Sequence, residues 1–474
     1  MVVNLEVARE VCTRLPLAEA TLRLLDAVTH DDFLREVFDR YRGRSYEREI
    51  SFPTFARLIA DALLEHHGSA RQSFLRAQEA GDLTATHEAA YGKLRRVPLG
   101  LSKGFLFEAS QQLLPLLPDA AKTPLPASLA GLHLLGVDGK KVKHLARRVK
   151  VARDVLGQLY GGKLVAALSV NTRLAIAFDA DPDGEASDTP LLPDVLRQVR
   201  ARVGGTRLWL ADRLFCDLEQ PALFTEQGDH FILRYDARVS FHADAARGRR
   251  EGKNAKGQAY VEEWGWLGTA KDPRRRYVRR VTLLRPGDPG GDVIVVTDLL
   301  DAERYPAEDI LAAYLLRWEV ENCFQQVTEV FTLRRLIGGT PEATVYQAMF
   351  CLLLYDVLTV VRGYVAEAAH EEAEEVSLEE LFKDARRQLV AWNEVVSVEE
   401  TVAVLGGYPA GELPGRLREL TAGLWKERWR KAKGSGKPPR LPRNRPKEYP
   451  KGGHTSVYRL LQRARQATNH SRSP

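Results

Sequence analysis

The stretch that first suggests chemistry is residues 311–326, LAAYLLRWEVENCFQQ. Tyr314, Arg317 and Glu321 stand at i, i+3 and i+7, which puts a phenol, a guanidinium and a carboxylate on one face of a predicted helix. Such a face belongs beside something wet, charged or catalytic, although an exposed Arg–Glu i,i+4 pair alone is common. Two further acids end apolar runs: Asp138 closes LHLLGVD and Asp212 closes RLWLAD. An acid at the end of a strand is presented where open α/β sheets bind ligands. Two aspartates and a helical glutamate form an all-oxygen donor set of the kind hard divalent cations take.

The blocks LLGVDGKK, WLADRLFCDLEQPALFTEQGDHFILRYD and YLLRWEVENCF resemble the three catalytic blocks of DDE transposases from bacterial insertion sequences. The resemblance is to the insertion sequence 4 family, with its Tyr–x2–Arg–x3–Glu–x6–Lys signature, and extends over residues 130–362. Tyr314, Arg317 and Glu321 match it position by position, but the terminal Lys falls on Thr328. The resemblance implies Asp138, Asp212 and Glu321 as catalytic residues holding two Mg²⁺ ions (Mn²⁺ can substitute), with no covalent protein intermediate. It also implies Arg317 and Tyr314 on DNA phosphate, and DNA as partner: the terminal inverted repeats and the target, bound by a homodimer on paired ends. Arg334 or Arg335 would supply the cation missing at Thr328. The activity implied is cut-and-paste transposition. A ribonuclease-H-like nuclease, or a repurposed non-catalytic DNA-binding protein, would keep much of the same pattern.

These residues must be positioned by a sizeable fold. A chain of 474 residues, 44% hydrophobic and 28% charged, suits a globular protein of several domains. Four scattered cysteines without a CxxC pair argue for a reducing compartment and against a zinc module. Neither a signal sequence nor a bilayer-length apolar run is expected, so the reading is cytoplasmic, with no membrane partner. Residues 421–474 carry fifteen Lys/Arg against two Glu, a net of +13, which leaves −7 for the first 420 residues. A basic tail on an acidic body points to a polyanionic partner or to a solubilising segment.

The expected fold class is α/β: a ribonuclease-H-like mixed sheet with an inserted antiparallel β region, a helical N-terminal DNA-binding domain and a basic C-terminal region. Residues 1–125 have helical periodicity, with Thr29 and Ser51 as candidate N-caps. Residues 86–106 read either as a helix-turn-helix-like element with Lys93, Arg95 and Arg96 on phosphate, or as a plain bundle with a basic loop. A Pro-punctuated linker covers 123–131. The core falls into 130–237 and 299–370, with the catalytic Glu helix in the second part. Residues 238–298 form the inserted β subdomain, where Trp264 and Trp266 share a strand face and could stack on an extruded base or fill a core. A helical region follows at 371–430 and a basic, partly disordered tail at 431–474. Gly157 to Lys163 imitates the start of a P-loop, but Leu164 replaces the Ser/Thr and a strand-like run follows, so nucleotide hydrolysis is excluded.

Overall fold

The computed structural model describes residues 5–64, 69–143, 155, 158–288, 291–331, 340–431 and 454–470. Seven helices come first: α1 (Leu5–Arg14), α2 (Pro16–Thr29), α3 (Asp31–Tyr41), α4 (Phe52–Leu64), α5 (Ala70–Ala80), α6 (His87–Leu94) and α7 (Leu99–Leu113). Ser51 caps α4, its Oγ accepting from the Thr54 N–H at 3.1 Å. Thr29 is not a cap. It ends α2, and the ring of His30 accepts from the Phe33 N–H to start α3.

The catalytic-type sheet begins with β1 (His133–Lys143), β2 (Gln158–Ser169) and β3 (Ala175–Asp181), continues through α8 (Leu192–Arg200) to β4 (Arg207–Ala211), and through the short α9 (Gln220–Phe224) to β5 (His230–Arg234). β1–β2 and β2–β3 pair antiparallel, whereas β4 lies parallel to β1 and β5 parallel to β4. The order β3-β2-β1-β4-β5 with these directions is the ribonuclease-H-like arrangement. Both faces are covered, as the apolar runs require. Leu135, Val137, Val165 and Trp209 pack on α8 and α9, while Leu164, Ala166 and Phe178 face the large helical layer.

The stretch expected as an inserted subdomain is not a separate sheet. β6 (Phe241–Ala243), β7 (Arg249–Lys253), β8 (Ala259–Leu267), β9 (Arg276–Leu283) and β10 (Val293–Thr297) are antiparallel, and β10 hydrogen-bonds to β5. The insertion therefore extends the central sheet by five strands. Trp264 is buried in this extension, its indole N–H donating to the Leu300 carbonyl at 2.9 Å. Beside it, Arg279 is fully buried. It pairs with Glu262 through Nε at 2.8 Å and donates from Nη1 to the Tyr305 carbonyl at 2.6 Å. That bond fixes the entry to the next helix.

Beyond it run α10 (Ala307–Leu315), α11 (Trp318–Glu329) and α12 (Pro341–Ala369). α12 is long and apolar enough to cross a bilayer by composition, but its apolar window is entirely buried in the protein. It contacts α7, α11, β2 and β3, joining sheet and helices. α13 (Leu378–Val395), α14 (Val398–Leu405) and α15 (Leu413–Thr421) return to pack on α1 and α2, so N- and C-terminal helices share one hydrophobic core. Finally β11 (His454–Ser456) adds to the free edge of β2, and α16 (Val457–His470) is held by Arg459 on Asp183 and Glu185.

Replacing Arg279 by Ala should cost about 3–5 kcal/mol of unfolding free energy, because Glu262 would stay buried without its partner. Urea denaturation checks this. Pairing Arg279→Met with Glu262→Leu should recover most of the loss.

Candidate functional site

Asp138 lies inside β1, not at its end: the strand continues through Gly139 to Lys143. The polar residues after Val137 still pair with β2, so the backbone ladder outruns the apolar run. β1 and β4 pair in register up to Val137 opposite Ala211. The next positions on the two strands are Asp138 and Asp212, which the parallel register sets side by side. Each aspartate bonds to the N–H just after it, Asp138 Oδ1 accepting from Gly139 at 2.8 Å and Asp212 Oδ1 from Arg213 at 2.7 Å.

The predicted continuous helix is interrupted. α10 ends at Leu315 and α11 starts at Trp318, and tight i,i+3 bonds from Arg317 to Tyr314 and from Val320 to Arg317 bridge the join. α11 approaches β1 closely because Gly136 has no side chain. A Cβ there would sit 2.4 Å from a methyl of Val320. Gly136 and Asp138 share a strand face, and Glu321 follows Val320, so this contact brings Glu321 towards Asp138.

Arg317 fills the middle. It is buried, donates from Nη2 to Glu321 Oε1 at 2.6 Å, and holds Nη1 3.9 Å from Asp138 Oδ2. Its guanidinium lies 5.6 Å from the ring centre of Tyr314. Burial works against its charge, but Tyr314, Glu321 and Asp138 outweigh that and hold its pKa above the ordinary value. Its Nε and Nη1 are buried without a hydrogen-bond partner. Burial lifts the Asp138 carboxyl to about 6, opposed by the Gly139 N–H and Arg317 and assisted by the charges of Glu321 and Asp212. Tyr314 is also buried, and that burial raises its phenol.

Two of the carboxylates, Asp138 and Glu321, thus flank a buried cation, and the third, Asp212, acts electrostatically on Asp138. Among the described residues no three metal-binding side chains are gathered closely enough to coordinate an ion. Arg317 occupies the charge-compensating position between two of them. Their donors are all oxygens, the type that a hard divalent ion takes.

The remaining predicted residues fare differently. Thr328 donates to the Phe324 carbonyl at 2.7 Å and offers no charge. Arg334 and Arg335 lie outside the described residues. Lys93 donates to the Ile50 carbonyl at 2.5 Å, and Arg95 and Arg96 are exposed. Trp266 is 36% exposed, with the Arg275 guanidinium 4.3 Å from its ring centre. Sequence reasoning missed Gly136 and Lys163. Lys163, dismissed with the false P-loop, is a buried strand residue paired with Asp188, and burial lowers it to about 8 although Asp138 acts to raise it. A lone lysine opening the apolar run KLVAALSV was the available signal.

The family described as "Transposase DDE domain" matches residues 138–357, a span that starts at Asp138 and contains Asp212 and Glu321. That match supports a DDE transposase. The chain is also similar to the protein in "Cryo-EM structure of piggyBac transposase synaptic complex with hairpin DNA (SNHP)", at 11% identity and a TM-score of 0.39, over 90% of this chain and 88% of that one. No curated protein matches.

The raised Asp138 carries a stability consequence. The folded state binds its proton more tightly than the unfolded chain, so stability falls as pH rises from 3.8 to about 6 and the penalty is full above that. In chelator at pH 7.5, Asp138→Asn should stabilise the protein by about 1–3 kcal/mol. The gain should vanish near pH 4 in paired thermal melts.

Proposed function

We propose that the chain is a DDE-type transposase of the insertion sequence 4 group, performing cut-and-paste transposition by hydrolysis and strand transfer at terminal inverted repeats. One observation carries the reading. Asp138 and Glu321 flank the buried Arg317 while Asp212 stands beside Asp138 in register, all within the stretch matching a transposase domain.

Asp138, Asp212 and Glu321 would hold Mg²⁺, or Mn²⁺ in its place. Metal bound there would activate the attacking water or 3′-hydroxyl and stabilise the leaving oxygen of an in-line displacement at phosphorus. Arg317 has two assignments in this scheme. Without DNA it neutralises Asp138 and Glu321. With DNA, its Nη1, buried without a hydrogen-bond partner among the described residues, can donate to a phosphate oxygen beside the scissile bond. Tyr314, kept protonated by burial, donates its hydroxyl to a phosphate oxygen. Gly136 sets the spacing between sheet and helix on which these contacts depend. The protein would act in the cytoplasm as a homodimer on paired ends.

Asp138→Ala, Asp212→Ala and Glu321→Ala should each lower Mg²⁺-dependent cleavage of a repeat-bearing duplex by at least ~10³-fold while leaving its binding intact. Unchanged cleavage in any of the three would remove that residue from the site. Equal cleavage of random duplex would favour a general nuclease. Binding without metal-dependent cleavage by the wild type would favour a non-catalytic DNA-binding protein.

A further inference from the structure

A cavity of about 910 Å³ opens in the N-terminal helices between residues 42–49 and the turn joining α6 to α7. It shares no lining residue with the site above. Its floor is apolar, built by Phe38, Ile50, Phe52, Val97 and Leu101. Its rim is cationic, with Arg42, Arg44, Arg48 and Arg96, and Glu49 is the one acid among its lining residues. Among the described residues neither Arg44 nor Arg96 makes an ion pair. Tyr46 stands at the rim 62% exposed, with the Arg48 guanidinium 5.1 Å from its ring centre. Lys93 adds a charge inside, 5.8 Å from the ring centre of Phe38.

An exposed aromatic ring, an apolar floor and a cationic rim with Arg44 and Arg96 free of ion pairs among the described residues match a ligand that is flat and apolar at one end and anionic at the other. A base-paired duplex offers the rim its phosphates but keeps its bases stacked away from the floor. An unpaired nucleotide offers both. We propose that this cavity takes one unpaired nucleotide of a DNA strand, with the base against Tyr46 and the apolar floor and the phosphate on Arg44 and Arg96. The volume accommodates such a ligand. Aromatic stacking of an unpaired base contributes about 1–3 kcal/mol, whichever base it is. The choice of DNA as the source of the nucleotide rests on the transposase reading.

The test titrates the full chain, in chelator, with a labelled single strand and with a duplex of the same arbitrary sequence. Tyr46→Ala should weaken single-strand binding by about 10-fold, with Tyr46→Phe restoring it, and leave duplex binding within about 2-fold. Both substitutions are at an exposed position and leave the core intact. Arg44→Ala with Arg96→Ala should flatten the slope of log affinity against log salt for the single strand by roughly 1.4. Equal weakening of both substrates by Tyr46→Ala, no weakening of either, an unchanged salt slope, or displacement of the strand by a polyglutamate peptide at equal charge would each overturn the proposal. Cleavage that survives Asp138→Ala would sink the transposase reading and leave this site standing.

Discussion

Everything at the centre of the molecule depends on one buried guanidinium. Arg317 lies among Asp138, Glu321 and Tyr314, with Asp212 close enough to be felt by Asp138. Burying carboxylates without a cation is costly, and burying an arginine without anions is equally so. The two problems offset each other only if strand and helix are held at one spacing. This explains why α11 touches β1 over a glycine and why the join at Leu316–Arg317 tightens instead of continuing as a plain helix.

The arrangement has a functional consequence beyond stability. A site whose acids are neutralised by their own arginine does not attract metal strongly until that arginine is offered another anion. Under the proposed transposase function DNA phosphate would be such an anion, and DNA and metal would then bind with mutual assistance.

Much of this was legible in the sequence, for identifiable reasons. Tyr314, Arg317 and Glu321 stood out because polar groups at helical spacing cannot form a core stripe, and Asp138 and Asp212 because acids terminated apolar runs. The succession of strands and helices along the chain followed from those same runs. What the sequence hid is contact across long separations. Gly136 looks like any strand glycine until Val320, from a distant helix, is placed on it. Trp264 and Trp266 alternate alike, yet only the position of Leu300 decides that the first is buried. The insertion gave a correct antiparallel pattern but no sign that β10 would pair with β5, since edge pairing leaves no mark on composition. Lys93 read as a phosphate ligand because its neighbours are basic, whereas the carbonyl that captures it belongs to a loop some forty residues earlier.

The helical layer is more than a mount for the sheet. α12 supplies the shared wall, and within it Asp356 is wholly buried, its Oδ1 accepting from the Ala175 N–H at the start of β3 at 2.8 Å. Burial pushes that carboxyl well above its ordinary pKa. Its bond ties the start of β3 to the helix that joins sheet and helical layer.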